Sequence, residues 1–326
     1  MHIPFLLRPA QKDYLWGGTR LKDEFAKDTA LSSLAETWEC STHPDGPSQI
    51  ASGPYCGETL QTVLSRRPDF VGTHPRVTNG QLPVLVKLID AQQNLSVQVH
   101  PSDEYAHLHE AGAQGKTEMW YVLHADPGAR LIYGFQRNMT KEQVRKTLAD
   151  KTFLRYLQYI PVHTNDVFYV SPGTVHAIGK GIVLAEVQEN SNITYRLYDY
   201  DRRDKNGHPR PLHIEQALEV ASLQASPAPH SPMRVLNYRP GFASELLARC
   251  PYFLVHRILL NRPKAAPLPY QTGSNSFHIL LCLKGTGNLA ANSVRLDFKK
   301  GDCLFIPADS VPLTLCGNTQ FLQVSC

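Results

Sequence analysis

Short apolar segments rich in β-branched residues recur along this chain, and turn residues separate each one from the next. Strands of about four to eight residues bounded by such turns are typical of all-β barrels and sandwiches. Six segments of this kind lie in the first two thirds of the chain, at residues 82–89, 95–99, 119–123, 131–135, 167–170 and 182–187. The pattern therefore predicts an all-β fold.

Two segments depart from the strand pattern. Between residues 140 and 160 the apolar residues fall at helical spacing, and Thr140 with Gln143 matches a capping box. We expect a small helical insertion at about residues 138–164, between two strands. A second helix is predicted to begin near His213.

An internal repeat divides the chain. Residues 225–240 contain four prolines and are interpreted as a linker. Two pairs of segments on either side of it align: 165–176 with 301–312, and 120–123 with 279–282. The repeat indicates that one strand-rich unit occurs twice. We expect a first, catalytic unit at residues 1–235 and a second, barrel-like unit at residues 240–326.

The composition argues against several classes of function. The 326 residues include 33 Lys and Arg against 29 Asp and Glu, without a basic stripe, so neither nucleic acid nor a membrane is an expected partner. Seven scattered cysteines form no CxxC pair, which indicates reduced thiols. We find no signal peptide and no apolar run of the ~18–20 residues that a membrane span needs. We therefore expect a cytoplasmic protein, and the oligomeric state stays open.

A candidate metal site begins in the segment 95–101. Side chains alternate along a strand, so Gln98 and His100 lie on one face there. Glu118 and His176 lie at later strand or turn positions. Two histidines and a glutamate that leave one position open can hold a catalytic Zn²⁺. We predict His100, Glu118 and His176 as metal ligands, with Gln98 as a fourth.

The second copy of the repeat has lost this ligand set. Pro312 aligns with His176, and Phe277 falls about where Glu118 would be. We therefore expect the second unit to be structural and the chemistry to lie in the first.

Other polar residues near the site have competing interpretations. Lys87 lies in the apolar segment 85–89, so it must reach water or point into a polar cavity. We interpret it as lining the site, with a pKa that burial and the metal would lower. Lys116, in a glycine-bearing turn, either faces the site or lies at the surface. His107 and His109 fall on a polar, helix-like segment and are interpreted as solvent-exposed.

Taken together, these motifs resemble the type I mannose-6-phosphate isomerases in their short bacterial form. The similar segments are 14–19, 82–87, 95–101, 115–121, 190–196 and 198–199. The resemblance extends from about residue 8 to the end of the chain. It implies a double cupin fold, with two jelly-roll β-barrels and a small helical insertion. It also implies one Zn²⁺ per chain, held by Gln98, His100, Glu118 and His176.

The family interconverts mannose 6-phosphate and fructose 6-phosphate, so the resemblance implies a small sugar phosphate as the partner. It also implies an active-site arginine at Arg196 and pocket positions for Lys87, Lys116 and Glu186. Moving a carbonyl between neighbouring carbons requires a proton to leave the adjacent carbon, through an enediolate. Either Glu186 or Lys87 is the base, and the sequence does not choose between them. Lys116 or another basic residue near the pocket mouth would meet the phosphate.

Two other classes of function stay open at this stage. Two histidines and one carboxylate also describe non-haem Fe(II) oxygenases, some of which are cupins. The added Gln98 and the lack of a recognisable cosubstrate motif weigh against that class. A non-catalytic sugar-phosphate-binding regulator would keep the fold, but Lys87, Glu186 and Arg196 weigh against it. Metal analysis and a coupled assay on mannose 6-phosphate discriminate between these functions.

Overall fold

The computed structural model describes residues 1–73, 81–204, 206–227, 229, 234–291 and 294–326, and strands predominate in it. The strands are β1 (Phe5–Arg8), β2 (Ala10–Lys12), β3 (Glu36–Cys40), β4 (Gln49–Ile50), β5 (Val84–Ala91), β6 (Val97–Val99), β7 (Glu118–Ala125), β8 (Arg130–Phe135), β9 (Leu157–Pro161), β10 (Val167–Val170), β11 (His176–Ala177), β12 (Ile182–Glu189), β13 (Tyr195–Tyr198), β14 (Leu236–Arg239), β15 (Phe242–Arg249), β16 (Leu254–Arg262), β17 (Leu268–Tyr270), β18 (His278–Ala291), β19 (Val294–Lys299), β20 (Cys303–Ile306) and β21 (Leu313–Ser325). The helices are α1 (Arg20–Phe25), α2 (Leu60–Arg66), α3 (Asp103–His109), α4 (Lys141–Ala149) and α5 (Ile214–Val220). The predicted all-β fold is confirmed.

The strands form three antiparallel sheets. A six-stranded sheet has the order β10-β7-β12-β5-β3-β2, and a five-stranded sheet has the order β13-β6-β11-β8-β9. A ten-stranded sheet contains the path β14-β15-β16-β21-β18-β20-β1-β4, with β17 paired to β21 and β19 to β18. Within the described ranges none of these orders closes on itself, so the sheets are open.

The six-stranded sheet is covered on both faces. Its central strands β5 and β12 are buried along their whole length. Val86 and Val187 on one face share a core with Phe305 of the ten-stranded sheet. Ile89 and Leu184 on the other face pack in a core that includes residues of the five-stranded sheet. This double coverage explains why these strands read as continuous apolar runs in the sequence.

The predicted helices are present, but one ends earlier than expected. Thr140 and Gln143 form the capping box at the start of α4. A short 3₁₀ turn at Phe153–Tyr156 follows, and Leu157–Pro161 form strand β9 rather than a helix. The apolar spacing predicts a helix wrongly there, because β9 is a strand in which alternate residues turn towards the core. The helix expected near His213 is α5.

The sheets do not follow the division that the sequence predicts at residues 235–240. Strands β1 and β4 pair into the ten-stranded sheet, and β14 lies inside the expected linker. Pro232, one of the four linker prolines, lies outside the described residues. The assignment of residues 1–235 and 240–326 to a catalytic and a structural unit stays a prediction.

The repeat is visible in strand order. The order β10-β7-β12-β5 in one sheet matches β20-β18-β21-β16 in the other. Val170 pairs with Glu118, and its aligned partner Ile306 pairs with His278. The residue at the position of Glu118 is therefore His278, and the expected match to Phe277 is wrong by one residue.

Two expectations from composition can be compared with the structure. All seven cysteines lie within the described residues, and all of them are unpaired. No helix among the described residues is long and apolar enough to cross a membrane.

A buried ion pair joins the six-stranded and ten-stranded sheets. The Lys27 ammonium, just after α1, donates to the Glu39 carboxylate of β3 at 2.7 Å. It also donates to the carbonyl oxygen of Gly301, in the turn before β20. The Thr37 hydroxyl donates to the same carboxylate at 2.5 Å. Both charges are almost fully buried, so each depends on the other for compensation.

We expect Lys27→Met to destabilise the protein by about 3–5 kcal/mol, because it leaves the Glu39 carboxylate buried without its cation. The double variant Lys27→Met/Glu39→Gln should recover most of that loss, since no buried charge then remains. Chemical denaturation followed by circular dichroism measures both free energies of unfolding. A double variant no more stable than the single one would contradict this account.

Candidate active site

Both sheets of the first repeat contribute side chains to one polar cluster. In the five-stranded sheet, Gln98 of β6 lies between Arg196 of β13 and His176 of β11 in the strand register. In the six-stranded sheet, β7 begins at Glu118. His100 follows β6 directly. The four predicted metal ligands therefore come from adjoining positions in two sheets.

Three of these residues form a compact, buried group. Candidate ligand atoms of His100, Glu118 and His176 all lie within 4.8 Å of one another. Nε2 of His100 lies 3.2 Å from one carboxylate oxygen of Glu118, and Nε2 of His176 lies 3.6 Å from the other. This is the one such group of histidine, cysteine and acidic residues among the described residues.

Backbone carbonyls fix the tautomers of both histidines. Nδ1 of His100 is 2.8 Å from the carbonyl oxygen of Ile193, and Nδ1 of His176 is 2.9 Å from that of Thr174. Each Nδ1–H donates to its carbonyl, so each Nε2 presents a lone pair to the cluster. Burial, together with the charge of Lys116, lowers the pKa of His100 to about 3, and burial also lowers the pKa of His176. Both imidazoles are therefore neutral and able to bind a metal.

The Glu118 carboxylate also suits a cation. It is fully buried, and neither oxygen accepts a well-formed hydrogen bond, although the Lys116 ammonium lies 2.6 Å from one of them. Burial alone would raise the pKa of Glu118, but the positive charge of Lys116 outweighs burial and holds the pKa well below the usual range. An ionised carboxylate with unsatisfied oxygens beside two imidazole lone pairs is a donor set that fits a divalent metal ion.

Gln98 lies at the edge of this group. Its amide nitrogen is 3.3 Å from Nε2 of His176, and the Ser96 hydroxyl is 3.4 Å from its amide oxygen. Its side chain is half-buried and lines the adjoining pocket. The structure thus brings Gln98 beside the three-residue group, on the pocket side.

A second row of functional side chains crosses the six-stranded sheet. In the strand register Glu186 of β12 lies between Trp120 of β7 and Lys87 of β5, and Lys87 in turn pairs with Trp38 of β3. The Trp120 indole donates to Glu186 at 2.8 Å. The Lys87 ammonium lies 5.0 Å from the centre of the Trp38 ring. Alternation along four neighbouring strands therefore places one row of side chains on the same face of the sheet, and Glu186 and Lys87 of this row line the pocket.

Lys87 is held by carboxylates. Its ammonium, on a residue that is only 4 % exposed, lies 3.3 Å from Glu186 and 3.5 Å from Glu36. Burial alone would lower the pKa of Lys87, but the charges of Glu36, Glu186 and Glu118 outweigh burial and raise it. The sequence-based expectation of a lowered pKa is therefore wrong.

The pKa of Glu186 is shifted for a different reason. Burial and the nearby charge of Glu118 raise the pKa of its carboxyl group above the ordinary value. Oε1 of Glu186 is buried and accepts no hydrogen bond. A carboxyl group whose affinity for a proton is raised is suited to taking a proton and returning it.

Several of these residues line a pocket of about 300 Å³, and the three-residue group lies beside it, behind Gln98 and Lys116. Lys87, Lys116 and Glu186 form its buried part, whereas Arg196 and Arg210 are half-exposed. The remaining lining residues are Tyr14, Trp16, Glu36, Ile89, Leu95, Ser96, Gln98, Ile178, Asn192 and Thr194. A larger cavity of about 1070 Å³ lies against β18, β19 and β21 and contains none of the predicted site residues.

Arg196 projects from β13 into the pocket. It donates to the carbonyl of Pro211 at 2.9 Å and to the Ser96 hydroxyl at 3.3 Å. Burial and the neighbouring Arg210 lower its pKa. Two guanidinium groups that repel each other at one opening favour an anion between them.

Lys116 lies elsewhere in the pocket than predicted, whereas His107 and His109 lie where they were expected. Lys116 is buried against Glu118 at the base of the pocket, not near the pocket mouth where the sequence analysis placed a phosphate-binding base. His107 and His109 lie on α3 with exposed side chains, as expected, and the His109 ring stacks on Tyr105.

The sequence analysis missed two charged pocket residues, Glu36 and Arg210. Glu36 and Trp38 lie on one face of β3, and the Trp38 indole donates to the Glu36 carboxylate at 2.8 Å. Their alternation at i and i+2 was a signal that could have identified them. Arg210 reaches the pocket from an irregular segment, where it pairs with Asp199. No periodicity in the sequence marks that position.

Comparison with known proteins gives consistent matches. Residues 5–118 match the model of the phosphomannose isomerase type I catalytic domain, and residues 244–326 match that of the mannose-6-phosphate isomerase cupin domain. The chain is 36% identical to a probable mannose-6-phosphate isomerase, GmuF, of Bacillus subtilis, over 99% of both chains. It is 36% identical to the mannose-6-phosphate isomerase of Streptococcus mutans, over 94% of this chain and 93% of that one.

Solved structures agree with these matches. The crystal structure of the Bacillus subtilis mannose 6-phosphate isomerase superposes with a TM-score of 0.89 at 33% identity, over 99% of both chains. The enzyme from Salmonella typhimurium, in its apo form, superposes with a TM-score of 0.76 at 17% identity, over 99% of both chains, which bears on the fold alone. The expected cupin fold is confirmed.

We expect His100→Ala and His176→Ala to abolish binding of a divalent metal ion, because each removes a buried imidazole lone pair from the three-residue group. His109→Ala is the matched control and should bind metal as the unaltered protein does, since His109 lies on the exposed face of α3. Metal content after incubation with Zn²⁺ and gel filtration measures the effect. Loss of metal in His109→Ala would show that the ligand set is wrong.

Proposed function

The chain belongs to the type I mannose-6-phosphate isomerase family, and we propose on this basis that it interconverts mannose 6-phosphate and fructose 6-phosphate through an enediolate. The observation that carries the proposal is that two buried groups adjoin at one pocket. One is the set of His100, Glu118 and His176, which lies behind the pocket residues Gln98 and Lys116. The other is the pair of Lys87 and Glu186, which lines the pocket. An aldose–ketose isomerase needs a site that stabilises a developing oxyanion and a group that moves a proton between adjacent carbons.

We propose Zn²⁺, one ion per chain, as the metal. His100, Glu118 and His176 would hold it, with Gln98 as a further ligand from the pocket side. Neutral imidazoles and an ionised carboxylate are the ligands that catalytic zinc sites use, with a position left open for substrate. When bound, the ion would polarise the carbonyl oxygen of the sugar as a Lewis acid. The hydrogen bonds from the two Nδ1 atoms to backbone carbonyls orient both rings for that role.

Glu186 is our candidate for the proton-transferring base. The pKa of its carboxyl group is raised towards neutral pH, and its Oε1 accepts no hydrogen bond. Lys87 is the less suitable base because the surrounding carboxylates keep its ammonium protonated. We propose instead that Lys87 supplies positive charge to the pocket and holds the Glu186 carboxylate in place.

The half-exposed end of the pocket suits the phosphate and the sugar hydroxyls. Arg196 and Arg210 both line that end, and a guanidinium can bind phosphate oxygens in a bidentate manner. We propose Arg196 as a catalytic residue and Arg210 as an additional anion-binding residue. Lys116, predicted to bind substrate, would act from the buried end, beside Glu118.

The first test of this function is a coupled assay of the zinc-loaded protein on mannose 6-phosphate, with metal analysis of the same sample. Turnover with zinc bound in about one equivalent supports the proposal. Zinc-loaded protein that produces no fructose 6-phosphate would contradict it. Stoichiometric iron with oxygen-dependent turnover would instead favour an Fe(II) oxygenase.

We expect Arg196→Ala to bind zinc normally but to lower kcat by about 10²–10³-fold, because the variant loses a charged donor to the reacting oxygens or to the hydroxyls beside them. Arg145→Ala, on the exposed surface of α4, is a matched control and should leave kcat unchanged. The coupled assay measures both variants. Near-normal turnover in Arg196→Ala would reduce Arg196 to a structural role.

We expect Glu186→Gln to lower kcat by about 10²–10⁴-fold while zinc content stays the same, because the amide keeps its contact with Trp120 but cannot take a proton. Incorporation of deuterium from D₂O into the sugar separates this effect from a binding defect. The exchange should fall together with kcat. Undiminished exchange in the folded variant would show that another residue is the base.

A further inference from the structure

The segment from Gly115 to Thr117 is the last part of the connection from α3 to β7, and it carries Lys116 into the pocket. Glu118, a candidate metal ligand, follows it directly. The ammonium of Lys116 and the carboxylate of Glu118 lie 2.6 Å apart, and the same ammonium is 3.5 Å from Nε2 of His100. A small shift of this segment would therefore move two functional side chains at once.

Glu189, the last residue of β12, holds one end of the segment. Its carboxyl oxygen Oε1 accepts the backbone N–H of Thr117 at 2.7 Å. Its own backbone N–H donates to the carbonyl of Thr117 at 3.0 Å. The residue is 1 % exposed, so water cannot replace this acceptor easily.

Asp103, the first residue of α3, holds the other end. Its Oδ1 accepts the backbone N–H of Gly115 at 2.9 Å, and its Oδ2 accepts the Tyr252 hydroxyl at 2.9 Å. A Cβ added to Gly115 would lie 2.4 Å from the backbone nitrogen of Asp103, so the two segments are in contact there. The carboxyl group of Asp103 also neighbours that of Glu189 and raises its pKa.

We propose that Glu189 and Asp103 are positioning residues, a carboxyl pair that clamps the backbone of Gly115–Thr117 and thereby sets where Lys116 and Glu118 enter the pocket. Neither residue touches the three-residue metal group, and neither lines the pocket. They act through two backbone N–H groups, on either side of the Lys116 side chain. The consequence for turnover rests on the proposed isomerase activity, whereas the consequence for metal affinity rests only on the proposed zinc site.

Two neighbouring, buried carboxyl groups favour a proton on one of them. Burial, with the nearby charge of Asp103, raises the pKa of Glu189 to about 8, so Glu189 carries that proton at neutral pH. Tyr169 and Cys250 also face Glu189, and neither supplies a positive charge. A glutamine at position 189 therefore reproduces the neutral, hydrogen-bonding form, whereas a leucine removes the acceptor and leaves the Thr117 N–H buried.

The experiment compares Glu189→Gln, Glu189→Leu and Asp103→Ala in the full chain. Zinc affinity is measured by chelator competition, kcat and KM by the coupled assay, and folding by circular dichroism and thermal melting. Asp302→Ala is the matched control, because its carboxylate accepts the backbone N–H of Lys299 at 2.8 Å in a turn of the ten-stranded sheet. The control should keep zinc affinity and kcat even if its melting temperature falls.

We expect Glu189→Leu to weaken zinc affinity by about 10–100-fold and to lower kcat more than it raises KM, as is typical when a partner behind a metal ligand is lost. Glu189→Gln should stay within about twofold of the unaltered protein in zinc affinity and in kcat. Asp103→Ala should also lower zinc affinity and kcat. It keeps the test available if Glu189→Leu does not fold. If the unaltered protein binds zinc but does not isomerise the sugar, the proposed function fails while zinc affinity still tests the clamp.

Two results would overturn the clamp. Folded Glu189→Leu and Asp103→Ala proteins with unchanged zinc affinity would show that the carboxyl pair supports only stability. A Glu189→Gln variant as defective in zinc affinity as Glu189→Leu would show that negative charge, rather than a hydrogen-bond acceptor, is what position 189 supplies.

Discussion

The burial of both faces of the six-stranded sheet is the constraint on which the site depends. A lone charge on such a sheet would cost several kcal/mol, so charged side chains persist there only when they compensate one another. Lys87 meets that condition by lying between Glu186 and Glu36. The two carboxylates, which are themselves buried, compensate the charge of Lys87 and raise its pKa. The chemistry proposed for the pocket therefore follows from the way the sheet is covered.

The second repeat shows what the same strand arrangement becomes without those charges. The register that aligns Trp120, Glu186 and Lys87 aligns Leu280, Gln323 and His256 in the ten-stranded sheet. His278 stands at the position of Glu118, hydrogen-bonds to the Tyr270 hydroxyl at 2.6 Å, and has a pKa lowered by burial to about 4. The interior beside this row is packed with apolar side chains, among them Leu304, Ile306 and Phe321. One topology thus supports either a charged pocket or a neutral core, according to a few side chains.

Local periodicity made part of this site predictable from the sequence. Alternation placed Gln98 and His100 on one face, and an apolar run with a lysine inside it marked Lys87. Glu36 could have been found by the same alternation, but its pairing with Lys87 depends on β3 lying next to β5, which is a long-range contact. Arg210 lies on no periodic element, so only the folded chain brings it to the pocket. Strand β9 was mistaken for a helix because apolar spacing in a short segment fits both periods.

The second repeat also contributes to the first through hydrogen bonds between the two. The Tyr121 hydroxyl, on the strand that carries Glu118, accepts a hydrogen bond from Gln320 of β21 at 3.0 Å and donates to Asn165 at 2.6 Å. Tyr252 donates to Asp103, which is one half of the proposed clamp. The first contact holds the strand that begins at Glu118. The second holds Asp103, which in turn accepts the backbone N–H of Gly115. The second repeat, in whose described residues no second metal group lies, therefore still restrains the backbone that carries the candidate metal ligand Glu118.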